Sequence, residues 1–165
     1  MSSFKTSYIL NKNEAMFLLG SFREAAPSRP ALYIIETYLR DSDMPQAAVE
    51  GLLYKKLAKK SFGEIVLEPV VDLLVRSALS SEALWVADFE EADGAVLILE
   101  SKDIYLHIRR YPHISDAWKI TPYQSKRLLS GEFEGLTILK AVRIDLNGNR
   151  EILDRASWVA EWYRV

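Results

Sequence analysis

The sequence predicts an α+β protein: an N-terminal helical segment followed by an antiparallel sheet with one or two further helices. Two observations carry this. Up to about residue 80, apolar residues recur at spacings of three and four, the period of a helix buried on one face. From Ala83 onward they alternate or run in short stretches, and Asn147-Gly148 has the form of a tight hairpin turn. The 165 residues fit a single domain, helical over about 1–80 and sheet-forming over about 81–165.

Taken in order, Asn11-Lys12-Asn13-Glu14 forms a capping-box pattern and Gly20 a helix stop, with a very apolar short helix between them. Pro30 in a first turn opens a second helix over 31–40, with Leu32, Ile35 and Leu39 inward. Asp43-Met44-Pro45-Gln46 starts a third, over 45–60. Val49, Leu52, Leu53 and Leu57 stripe it. Its end carries Lys55, Lys56, Lys59 and Lys60, where cations suit the helix dipole. Phe62-Gly63 breaks it, and 65–67 reads as extended. Pro69 opens a fourth helix to about 79, with Val70, Leu73, Leu74 and Ala78 inward.

Strands are expected over 83–89, 95–100 and 104–109. In the last, Ile104, Leu106 and Ile108 face a core while Tyr105, His107 and Arg109 occupy the wetter face. Residues 118–120 read as a short extension. Thr121-Pro122-Tyr123-Gln124 reads as a strong helix start, that helix ending near Gly131. A long strand then places Leu136, Ile138, Val142, Ile144 and Leu146 on one face, interrupted by Lys140, and 150–155 returns beside it. Trp158 and Trp162, four apart, suit a closing helical turn over 156–163, with a strand as the alternative.

Hydrophobic residues make up 49% and charged residues 27%, so the chain can build a core without a metal or disulfide. The absence of cysteine excludes disulfides, thiolate catalysis and cysteine-ligated metals, and suits a reducing compartment. A net charge of −2 is no general nucleic-acid footprint. Met1-Ser2-Ser3-Phe4-Lys5 has no apolar signal core, and apolar runs such as 95–99 fall far short of a membrane span. The expectation is a cytoplasmic protein without a membrane partner.

His107 and His113 are the 2 histidines, and their spacing matches no metal-binding helix motif. Tyr105, His107 and Arg109 are of the types that bind an anion or move a proton, although a solvated sheet face explains them more simply. Glu90, Glu91 and Asp93 suit a polar hairpin turn better than a cation site. Neither a phosphate-binding glycine loop nor a Gly-x-Ser-x-Gly elbow is present. No catalytic, cofactor-binding or metal-binding residue is therefore assigned, and no cofactor is expected.

Two binding classes remain. The order of helices followed by an extended piece is winged-helix-like, with Lys55, Lys56, Lys59 and Lys60 as nucleic-acid candidates. Against it, the start of the third helix offers Gln46, Ala47 and Glu50, and Glu50 repels phosphate. A protein partner is the leading expectation. Tyr111, His113 and Trp118 around one loop, and Trp162, Tyr163 and Arg164 at the end of the chain, are the candidate partner-binding residues, being of types that anchor interfaces. Edge strands offer a further route by strand addition.

The order of signals also resembles one family. A Leu18-Leu19-Gly20 helix precedes a passage from Gly51-Leu52-Leu53 to Leu67-Glu68-Pro69. An amphipathic helix with Val71-Asp72-Leu73-Leu74 follows, and then a strand meander from Leu84-Trp85-Val86. Over roughly residues 10–110 this is similar to the secretion-associated chaperones of type VII (ESX-type) systems and their Gram-positive relatives. The resemblance implies a cytosolic, non-catalytic protein that binds secretion substrates and keeps them soluble. It carries no short signature whose binding residues transfer to this chain.

Overall fold

A computed structural model describes residues 7–21, 26–40, 45–114 and 116–163. Seven strands form one antiparallel sheet: β1 (Tyr8–Asn11), β4 (Ala83–Phe89), β5 (Val96–Glu100), β6 (Tyr105–Arg110), β7 (Ala117–Tyr123), β8 (Ile138–Asp145) and β9 (Arg150–Leu153). Their spatial order is β1-β7-β6-β5-β4-β8-β9. Two further strands, β2 (Ala58–Ser61) and β3 (Glu64–Leu67), pair as a separate hairpin. The class is α+β, and the sheet dominates it.

Helices cover both faces of the sheet. On one side lie α1 (Lys12–Met16), α2 (Arg29–Tyr38), α3 (Pro45–Tyr54) and α4 (Pro69–Leu79). Ile34, Leu39, Leu74 and Ala78 meet Leu84, Leu97, Leu99, Leu106 and Ile144 there. On the other side lie α5 (Lys126–Ser130), a 3-10 turn (Gly131–Phe133) and α6 (Arg155–Trp162). Leu129, Phe133, Trp158 and Trp162 meet Trp85, Ala87, Phe89, Val96, Ile98 and Ala141. Successive strand residues point to opposite faces, so β4 and β5 feed both cores.

The local signals explain most elements. Asn11 and Glu14 form the expected capping box: the Glu14 N–H donates to Asn11 Oδ1 at 2.8 Å and the Asn11 N–H to Glu14 Oε1 at 2.9 Å. Glu14 is buried, and Lys55 Nζ donates to its Oε1 at 2.6 Å. Gly51 is required by this pair, because a Cβ there would overlap the Glu14 carboxylate. Past α1 the backbone widens into a π-helical turn, Phe17–Ser21. Ser28, Ser125 and Asp154 cap α2, α5 and α6 through their side chains.

Five expectations need correction. The third helix stops at Tyr54, not near residue 60, because Lys56 takes a left-handed conformation (φ 61°) and closes a Schellman motif. In it the Leu57 N–H donates to Leu52 O at 2.9 Å and the Lys56 N–H to Leu53 O at 3.1 Å. Lys59 and Lys60 thus lie on β2. In α4 the buried stripe is Val71, Leu74, Val75 and Ala78, leaving Val70 and Leu73 exposed. Thr121-Pro122-Tyr123 ends β7, and the helix start is at Ser125. In β8 a register shift between Asp88 and Phe89 of its partner places Leu139 in a bulge. Ile138 then faces the core of Trp158, while Val142 and Ile144 face the other, so the expected shared face does not exist. Finally, the face of β6 that carries His107 is covered by the α5–α6 layer, not wet: His107 is 4% exposed.

Candidate functional site

The sequence-derived partner residues do not share one location. Tyr111 and His113 sit together in the loop after β6, ring centroids 5.2 Å apart, Tyr111 half-buried and His113 exposed. Trp118 is half-buried, with its ring edge-on to Tyr38 at 5.8 Å. Trp162 is completely buried, 5.3 Å from Trp85 and 5.5 Å from Phe133, with Lys126 Nζ 4.7 Å above its ring. It belongs to the core and has no free surface to offer. Tyr163 donates its hydroxyl to Phe133 O at 2.7 Å and is partly exposed. Arg164 lies outside the described residues.

The lysines are similarly dispersed. Lys55 Nζ is bound to Glu14 and to Ile9 O at 2.9 Å. Lys56 caps α3. Lys59 and Lys60 are neighbours on one strand, opposite Val66 and Ile65, and therefore point to opposite faces of the hairpin.

Tyr105, His107 and Arg109 lie along one face of their strand, where the first two are packed among aromatic side chains and the third acts on His107 through its charge. Tyr105 packs against Trp162, ring centroids 6.4 Å apart, and His107 against Phe133 at 6.0 Å and Tyr123 at 6.4 Å. Among the described residues His107 Nδ1 has no hydrogen-bond partner, with Glu132 Oε1 3.8 Å away. Burial, then the charges of Arg109 and Lys119, lowers its pKa to about 4, so the ring is neutral near pH 7. Burial, then Glu132, pushes the Tyr123 phenol up to about 12. Of the acidic turn, Glu91 accepts hydrogen bonds from the Thr137 N–H at 2.7 Å and its hydroxyl at 3.0 Å, a structural tie. Among the described residues no three His, Asp or Glu side chains gather as a metal-binding set.

Two features escaped the sequence reading. The first is the tip of the β2–β3 hairpin. Phe62 and Gly63 both have positive φ, 51° and 79°, as a tight two-residue turn requires. Phe62 is 104% exposed and Tyr54, at the end of α3, 88%. A Gly between two short extended runs was the available signal, masked by reading 45–60 as one helix. The second feature is a cavity of about 100 Å³ between the sheet and the N-terminal helices. Leu18, Leu19, Leu74, Leu99, Leu106 and Trp118 are among the side chains that line it, and none of the described lining residues is charged. No periodicity announces such a space, since it depends on how separate elements meet.

No helix among the described residues is long and apolar enough to cross a membrane. Neither a protein-family model nor a curated protein sequence matches the chain.

Proposed function

We propose that this chain is a non-enzymatic, cytoplasmic protein-binding module that covers an apolar segment of its partner, as a chaperone or accessory factor for a secretion substrate does. The observation that supports this reading is Phe62. A bulky residue with positive φ costs about 1–2 kcal/mol, and this one exposes its whole ring to solvent. It loses on both counts in the free protein and gains no packing in return; an interface is where such a ring is useful. Tyr54, Val66, Val70 and Leu73, close to Phe62 in sequence, are exposed as well, which suits an apolar partner segment. The resemblance to type VII chaperones points the same way. The non-enzymatic part rests on the missing catalytic motifs and on the inaccessibility of His107.

A photo-crosslinker at position 62 is expected to capture one discrete protein in the native host, and a crosslinker at exposed Leu139 is not. Phe62→Asn keeps the turn and relieves strain, so its melting temperature should equal or exceed that of the parent while capture is lost. Undiminished binding of the same protein by Phe62→Asn would refute the proposal. The alternative, a winged-helix-like DNA-binding regulator, draws less support, since Lys55 is engaged by Glu14 and Lys59 and Lys60 point apart.

A further inference from the structure

We propose that the cavity between the sheet and helices α1, α2 and α4 is a binding site for an uncharged hydrocarbon group, supplied by a small free molecule or by the alkyl tail of an amphiphile. An engineered apolar cavity of about 150 Å³ takes up benzene; this one, at about 100 Å³, is smaller but partly open to solvent, so a ligand need not be enclosed whole. Its lining selects the class. Leu, Ile, Val and Ala line it, with Tyr8, Tyr38 and Trp118 as the aromatic members. An ion, sugar or nucleotide would be desolvated there without compensating hydrogen bonds. The walls also look built to leave space. The π-helical turn Phe17–Ser21 supplies Leu18 and Leu19, and widened turns of this kind recur at functional sites. Ala15 and Ala78 are the smallest side chains of the lining. The site is separate from the Phe62 hairpin tip and does not depend on the protein-binding proposal.

The molecule contains its own reporter and control. Of its 4 tryptophans, Trp118 lines the cavity, whereas Trp85, Trp158 and Trp162 pack on the opposite face of the sheet. The full chain, labelled with ¹⁵N, is titrated with toluene as the free-molecule probe and, separately, with octyl glucoside below its micelle concentration as the tail probe. The indole signal of Trp118, assigned by Trp118→Phe, is expected to shift saturably while the other three stay in place. A ligand at ten times its Kd should raise Tm by roughly 3–6 °C. Ala78→Leu and, separately, Ala15→Leu should fill the space, weakening binding about tenfold or more without lowering Tm. Binding of toluene alone assigns a free small molecule, and tighter binding of octyl glucoside assigns a tail. The proposal is overturned if neither probe shifts Trp118 saturably, if all four indoles respond alike, or if both filled variants fold and bind as the parent does.

Discussion

His107 is held as a neutral base, so stability depends on pH in a definite direction. The unfolded histidine titrates near 6.5, the folded one at about 4. Between these values the unfolded chain takes up a proton that the folded chain refuses. Stability is therefore full above the unfolded value and is lost as pH falls through the window from 6.5 to 4. The full shift is worth up to about 3 kcal/mol. Urea unfolding at pH 7 and at pH 4.5 is expected to show this loss, and His107→Phe, which can pack on Phe133, should flatten the slope. An unchanged slope would mean that carboxylates carry the acid sensitivity. Single residues were unevenly legible. The Asn11–Glu14 capping box is local and could be read directly. The burial of His107 could not, because alternation along β6 assigns it to a face without saying what covers that face.

The boundaries of elements show the same division. A reading that looks for glycine at helix ends carries α3 through to Lys60, whereas Lys56 itself takes the left-handed position. Lys56→Gly removes that strain and is expected to stabilise the protein by about 0.5–1 kcal/mol, measured as a higher urea midpoint at unchanged slope. A loss of stability would show that the lysine stem packs usefully. Pro122 misled for a related reason: beside Thr121 it resembles a helix start, yet it pairs with Leu106 in β7. Among the described residues the pairing of β1 with β7 ends at Ile120, and near the end of a strand a residue without an N–H is tolerated. The bulge at Leu139 inverts the faces of β8 about a single extra residue, which alternation alone does not reveal.

The whole molecule is three layers sharing one sheet, and strands β4 and β5 contribute to both cores. Damage to one core should therefore be felt in the other. Trp162→Ala removes a fully buried ring from the cluster of Trp85, Phe133 and Trp158 and is expected to cost about 3–5 kcal/mol. Hydrogen exchange should report lower protection in α2 and α4, on the far side of the sheet, by the same free energy as in α6. Protection lost in α6 alone would show that the layers unfold separately. The variant tests the fold, not an interface, since Trp162 reaches no surface.

By itself the sequence determined the α+β class, the approximate extent of β4 to β6, the capping box of α1, the prolines in the first turns of α2 and α4, and the absence of cysteine. These follow from periodicity, capping and composition, which act over a few neighbouring residues. The tertiary structure decided that β1 joins the far edge of the sheet, that both sheet faces are covered, and that Trp162 and His107 are internal. It also decided that Phe62 stands free and that a cavity remains beneath the N-terminal helices. Each of these depends on contacts between residues distant in sequence, whose geometry is set only when the layers close on one another.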